Sequence, residues 1–101
     1  MSNSLIVLDE VCAKDVENYL RGILVAFTYE HGDKVVVSTE HTKNGRLFFD
    51  LDAEASSKER AAKIKACIVG KGGATLKSIA RLVQIYSRMK LPGYQIHIDV
   101  A

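Results

Sequence analysis

The chain has 101 residues, a length that limits it to one small domain spanning residues 1–101. Its formal net charge at pH 7 is +2. Its 48% hydrophobic and 26% charged content is ordinary for a globular protein. The apolar runs Leu5–Leu8 and Ile23–Phe27 are too short to span a membrane, and no signal peptide is recognisable. Because the only cysteines are Cys12 and Cys67, a disulfide-stapled secreted domain is not indicated, and we expect a cytoplasmic location.

The N-terminal third predicts one helix. Residues 1–8 leave two possibilities open, a short edge strand or an ordered tail, so residues 1–10 count as a possible extension. From Val11 to Phe27 apolar residues recur at three- and four-residue steps, which is the spacing of one helix face. These apolar residues are Cys12, Val16, Leu20, Ile23, Leu24 and Phe27. The segment Glu30-His-Gly-Asp33 predicts the loop that ends the helix.

A β-hairpin is predicted next. Residues Lys34 to Glu40 and Arg46 to Asp52 have the composition of strands. In the second, Leu47, Phe49 and Leu51 lie on one face and Phe48, Asp50 and Asp52 on the other. Between them lies Asn44-Gly45, a pair that tolerates positive φ and favours a tight reversal. The two strands are therefore expected to be antiparallel neighbours.

Two helices and a strand complete the chain. A capping box at Ser56-x-x-Glu59 predicts a helix from about Ser57 to Ile68. A second helix is expected from Ala74 to about Met89, and Leu91-Pro-Gly93 ends it. Its expected buried stripe consists of Leu76, Ile79, Ala80, Val83 and Tyr86. The last segment, Tyr94 to Val100, alternates with period two and predicts a half-buried strand.

The resulting order is helix, strand, strand, helix, helix, strand. It predicts an α+β fold in which three helices pack on one face of a three-stranded sheet. No internal repeat, low-complexity segment or linker interrupts the pattern.

Charge is distributed unevenly along this order. Residues 1–57 carry ten acidic and five basic residues, a balance of −5, whereas residues 58–90 carry nine basic residues and one acidic residue, a balance of +8. The positive half contains the glycine-rich stretch between the last two helices. Such an asymmetry indicates a polyanionic partner more strongly than the net charge does.

The stretch Gly70-Lys71-Gly72-Gly73 has the features of an anion site. Three glycines allow positive φ and leave the backbone bare, and the following helix begins with free amides and a positive dipole end. Lys71 adds a charge, and Lys77, Arg81, Gln84 and Arg88 form a polar stripe on the second helix. These features suit the backbone of a single-stranded nucleic acid, whose unstacked bases can contact neighbouring apolar residues.

The full stretch Ile68-Val-Gly-Lys-Gly-Gly-Ala-Thr-Leu-Lys-Ser-Ile79 resembles the core motif of the KH domain, which carries a GXXG loop between two helices. The motif match covers residues 68–79, while the element order resembles the type II, prokaryotic arrangement from about Val11 to Val100. Within that group the chain is most similar to the small bacterial single-KH RNA-binding proteins of the KhpA type.

The resemblance implies a non-catalytic protein that binds single-stranded RNA, without cofactor or metal, and pairs as a homodimer or with a larger KH-containing protein. Gly70, Lys71, Gly72 and Gly73 would clamp the RNA backbone. Around them, the expected RNA-binding residues are Ile68, Val69, Thr75, Leu76, Lys77 and Arg81. The acidic half or Leu5–Leu8 could supply the protein contact.

Other functions are less well supported. Gly70–Gly73 is not a P-loop, and it follows a helix instead of a strand. His31, His41 and His97 share no metal-ligand spacing with the cysteines, and no base is evident for a cysteine nucleophile. Two alternatives stay open: a protein-interaction module that kept the fold but lost RNA binding, and a ribosome-associated or assembly factor that binds structured rRNA.

Overall fold

The computed structural model describes the backbone of residues 2–27, 32–41 and 44–101, and the side chains of residues 10–27, 32–40 and 44–101. The predicted order of elements is confirmed. The helices and strands are α1 (Ser2–Leu24), β1 (Lys34–His41), β2 (Arg46–Glu54), α2 (Lys58–Val69), α3 (Ala74–Lys90) and β3 (Gln95–Val100). Short 3₁₀ turns follow α1 at Val25–Phe27 and precede α3 at Lys71–Gly73.

The sheet has the order β1-β2-β3. As predicted, β1 and β2 are antiparallel neighbours, with Lys34 opposite Glu54. The two residues that complete their connection, Thr42 and Lys43, lie outside the described residues. Strand β3 pairs in parallel with β2 because the chain returns through α2 and α3 before it rejoins the sheet.

All three helices cover one face of this sheet and enclose one apolar core. The predicted alternation in β2 is confirmed, since Leu47, Phe49 and Leu51 are fully buried. In α3 the buried residues are Ile79, Val83 and Ser87, whereas the predicted Leu76, Ala80 and Tyr86 are only half-buried. Within the described residues, no helix is long and apolar enough to span a membrane.

Two predicted helix starts are wrong. Residues 2–8 form neither a strand nor a tail, because helix α1 already begins at Ser2. The N-cap of α2 is Ser57 instead of Ser56: the Ser57 hydroxyl accepts a hydrogen bond from the Arg60 amide at 3.1 Å. The Ser56 amide instead donates to Asp33 Oδ1 at 3.4 Å, so a tertiary contact decides which of two equivalent serines caps the helix.

Buried charges tie the helices to the sheet. On α1, Glu17 accepts from Lys14 Nζ at 2.7 Å, from Arg21 Nε at 3.0 Å and from the hydroxyl of Thr39 on β1. Arg21 also donates to the Val37 carbonyl at 2.9 Å. Burial alone would raise the pKa of Glu17, but these hydrogen bonds outweigh it and hold the pKa below its ordinary value of 4.5.

Candidate functional site

The loop between α2 and α3 is built on glycine conformations. Gly70, Gly72 and Gly73 have φ values of 74°, 64° and 79°. Gly70, with ψ 173°, lies in a region that L-residues almost never occupy, and Gly73 is left-handed. The loop turns within four residues, so α3 begins directly after α2 ends.

The glycines have different roles in this turn. A Cβ on Gly70 would lie 2.9 Å from the Thr75 amide nitrogen and 2.6 Å from the Thr75 Cβ, so only glycine lets the loop pack on the first turn of α3. A Cβ on Gly72 or Gly73 would meet no atom within 4 Å. These two positions therefore require glycine for conformation alone, and they leave the loop surface bare.

Part of the loop backbone has no internal partner. The Gly70 amide donates to the Ala66 carbonyl at 2.8 Å, and the Gly73 amide donates to the Gly70 carbonyl at 3.1 Å. Among the described residues, the amides of Lys71 and Gly72 donate no backbone hydrogen bond, and no side chain caps α3 at Gly73. Bare amides at a helix N-terminus are the geometry with which proteins bind anions.

The basic side chains around the loop are exposed and form no ion pair with any described residue. Lys71, Lys77 and Arg81 are solvent-exposed, and none of them forms a salt bridge within the described part of the chain. They lie on the loop and on one flank of α3, as their spacing predicts. The structure thus brings together the glycine loop and the three predicted basic residues.

The apolar residues next to the loop divide into two groups. Ile68 is fully buried in the core, so its side chain supports the loop from below and cannot contact a bound strand, contrary to its prediction as a binding residue. Val69, Thr75 and Leu76 are half-buried beside the loop. These three can present apolar surface to a ligand seated on the glycines.

One predicted member of the basic stripe is used elsewhere. The Gln84 amide nitrogen donates to the Tyr94 carbonyl and to Ser87 Oγ, both at 3.1 Å, and its oxygen accepts from the Ile96 amide at 2.9 Å. Gln84 therefore holds the outer edge of β3 instead of facing a ligand. The sequence around Gln84 does not predict this contact, because its partner Tyr94 lies ten residues further along the chain.

The opposite flank of α3 is apolar and exposed, a feature that the sequence reasoning missed. Leu82, Ile85 and Met89 are 48%, 52% and 77% exposed. They follow one another at steps of three and four residues, the spacing of a helix–helix seam. The sequence signal for this flank is a second set of apolar residues at three- and four-residue steps, beside the set predicted to be buried.

Other aromatic and acidic groups among the described residues form contacts within the fold. Tyr86 stacks on Tyr19 between α3 and α1, with ring centroids 4.2 Å apart. Asp52 pairs with Lys65 at 3.2 Å, and a hydrogen bond from the Ala53 amide and this ion pair lower its pKa. Within the described residues, no group of three His, Cys, Asp or Glu side chains is placed to hold a metal ion.

Comparison with known proteins returns no match, whether with family models, with curated proteins or with solved structures.

Proposed function

We propose that this protein is a non-catalytic RNA-binding module of the KH type, most similar to the KhpA type, which binds single-stranded RNA at the Gly70–Gly73 loop. The observation that carries the proposal is the pair of loop amides, Lys71 and Gly72, that donate no backbone hydrogen bond within the described residues. They lie at the start of α3, beside an exposed lysine that forms no ion pair there.

The chemistry of this loop matches that of a phosphate. Backbone amides and a helix N-terminus supply donors and partial positive charge, and Lys71 supplies a full charge. Lys77 and Arg81 continue the positive surface along α3. A phosphodiester strand offers anionic oxygens at regular spacing, so several of these groups can be satisfied at once.

The half-buried residues beside the loop favour a single strand over a duplex. Val69, Thr75 and Leu76 provide surface for unstacked bases, which a duplex keeps in its interior. With about three phosphates neutralised, the logarithm of the binding constant should fall with the logarithm of salt concentration at a slope of about −2.

The proposal extends to location and partners. Two free cysteines and an absence of recognisable disulfides among the described residues agree with a reducing compartment, and we propose the cytoplasm. The exposed flank of Leu82, Ile85 and Met89 supports pairing with a second copy or with a KH-containing protein. A second RNA-binding surface in the same assembly would raise affinity through effective concentration.

Fluorescence-anisotropy titration with short unstructured RNAs tests the binding proposal. The variant Lys71→Asp/Gly72→Asp puts negative charge where phosphate would lie, and Gly72 has room for the new side chain. We expect affinity to fall by about tenfold or more. The matched control is Lys34→Asp/Gly22→Asp, which makes the same charge change at two exposed positions in the first half and should retain binding.

The outcomes separate the alternatives. Equal affinity of wild type and Lys71→Asp/Gly72→Asp, with both folded by circular dichroism, would mean that the loop is only a turn. If the wild type binds no RNA at low salt, the protein-interaction alternative replaces this proposal. Competition by rRNA hairpins against short single strands distinguishes binding to structured rRNA from binding to unpaired RNA.

A further inference from the structure

A second concave site lies at the other end of α3, where the helix meets the start of β3. It is an open groove with a volume of about 420 Å³. Its lining includes Gln84, Arg88, Tyr94, Gln95, Ile96 and His97. Arg88 lies about 22 Å along the helix axis from Gly73, at roughly 1.5 Å per residue, so this site is separate from the glycine loop.

The floor of this site is held rigidly. Gln84 bonds to the Tyr94 carbonyl at 3.1 Å and to the Ile96 amide at 2.9 Å, which closes the outer edge of β3 at this point. The Ser87 hydroxyl fixes the same side chain, since it accepts from Gln84 Nε2 at 3.1 Å and donates to the Gln84 carbonyl at 2.8 Å. The site is therefore shaped before any ligand enters it.

The rim carries groups that can bind a nucleotide. Arg88 is exposed and forms no salt bridge with any described residue, so its guanidinium is available for bidentate contact with a phosphate. His97 is exposed, and its ring stacks on Phe48 with centroids 4.9 Å apart. The exposed Gln95 adds an amide that can pair with a base edge.

The same flank of α3 connects this site to the loop. Lys77, Arg81 and Arg88 follow one another at steps of four and seven residues, so they form one line along the helix. A strand that leaves the loop along this line with its intervening bases stacked reaches the second site after about six nucleotides, at roughly 3.4 Å per nucleotide.

We propose that the site at Arg88 is a second contact for the same RNA strand, with a phosphate on Arg88 and a base against His97 and Gln95. This inference rests on the proposed function. It assigns the protein a longer footprint than the loop alone provides, because the two contacts are linked by a continuous basic flank.

The test compares unstructured RNAs of four and ten nucleotides in anisotropy titrations. The four-nucleotide RNA can occupy only the loop, whereas the ten-nucleotide RNA can occupy both sites. We expect Arg88→Glu to weaken binding of the longer RNA about tenfold and binding of the shorter RNA less than twofold. The matched control is Lys90→Glu, because Lys90 belongs to the same helix end but lies over the Tyr86 ring, 5.9 Å from its centroid.

A second variant tests the base contact directly. His97→Ala should weaken the longer RNA about fivefold, the low end of the range for one aromatic base contact, and leave the shorter RNA unaffected. In ¹⁵N–¹H spectra, the amide signals of Gln95 and His97 should shift with the longer RNA only.

The possible results separate the two proposals. Equal effects of Arg88→Glu and Lys90→Glu, or no gain in affinity with length, would overturn the second contact while leaving loop binding intact. Binding of the longer RNA that depends on Arg88 but not on Lys71 and Gly72 would overturn the loop proposal and, with it, a second contact on the same strand, and it would leave Arg88 as an independent RNA site. Failure of both RNAs to bind would overturn both proposals.

Discussion

The two halves of this chain use their basic residues differently. In the first half, Lys14 and Arg21 pair with Glu17, and Lys34 pairs with Glu54 at 3.2 Å. In residues 58–90 most of the basic side chains form no salt bridge within the described part of the chain. These residues are Lys58, Lys63, Lys71, Lys77, Arg81, Arg88 and Lys90.

The few basic residues of the second half that form salt bridges pair with acidic residues of the first half. Arg60 contacts Asp33 Oδ2 through Nε at 2.8 Å and Nη2 at 2.5 Å, and Lys65 pairs with Asp52. The Asp33 side chain is only 2% exposed, so this contact locks α2 to the start of β1. The buried carboxylates Glu17 and Asp33 thus hold basic side chains within the fold, whereas most basic side chains of residues 58–90 form no salt bridge with any described residue.

The largest expected effect tests whether backbone geometry, and not charge, holds the second half together. Gly70→Ala should cost about 3 kcal/mol of unfolding free energy, because it combines a conformation reserved for glycine with a clash against the Thr75 backbone. Gly72→Ala meets open space and should cost about 1 kcal/mol for its left-handed conformation. Urea unfolding followed by far-UV circular dichroism measures both, and equal losses would contradict the distinct roles of the two glycines.

The next effect tests whether charge maintains the first half. Glu17→Gln should cost about 2 kcal/mol, since it removes a buried carboxylate that accepts from Lys14, Arg21 and Thr39. The partly exposed ammonium and guanidinium groups recover some solvation, which limits the loss. Chemical denaturation at pH 7 gives the difference directly. A loss below about 0.5 kcal/mol would place Glu17 among ordinary surface residues.

Glu17 also predicts a pH dependence. Because its pKa is lower in the folded state than its ordinary value of 4.5, its contribution is fully present above that value and is lost as the pH falls through the folded pKa. The stability difference between wild type and Glu17→Gln should therefore shrink between pH 7 and pH 3. A difference that stays constant over this range would contradict the assignment.

A smaller effect is expected at the boundary between the halves. Ser57→Ala should cost about 1 kcal/mol, because it removes the side-chain cap of α2. Ser56→Ala is the control and should change stability by less than about 0.5 kcal/mol, since Ser56 contacts Asp33 through its backbone amide. Thermal unfolding of the two variants measures both losses. A larger loss for Ser56→Ala than for Ser57→Ala would identify Ser56 as the N-cap of α2.

The smallest effect on stability is expected where basic side chains form no salt bridge with the described residues. Lys77→Gln and Arg81→Gln should each change the unfolding free energy by less than about 0.5 kcal/mol. Each should, however, make the salt slope of RNA binding less negative by about 0.7. Lys34→Gln, in the first half, is the control and should leave that slope unchanged. A salt slope that changes with neither Lys77→Gln nor Arg81→Gln would mean that these two side chains do not neutralise phosphates.

Much of the fold was predictable because its signals are local. Alternation in β2 and three- to four-residue steps in α1 follow from the repeat of a strand and of a helix, which neighbouring residues alone determine. The start of α1 was missed because Ser2 to Asp9 lack a capping signal that stands out from the polar sequence before Leu5. The cap of α2 was misplaced by one residue because Ser56 and Ser57 have the same chemistry.

The order of the elements and the glycine conformations of the loop follow from local sequence patterns: strand alternation, helix spacing and the run of glycines. Which charged and polar side chains have partners depends instead on tertiary packing. Arg60 and Asp33 are 27 residues apart in the chain, and Gln84 meets β3 from another element. Such pairings depend on distances that tertiary packing sets. The amino-acid composition therefore does not distinguish the basic side chains that form salt bridges in the fold from those that form none with the described residues.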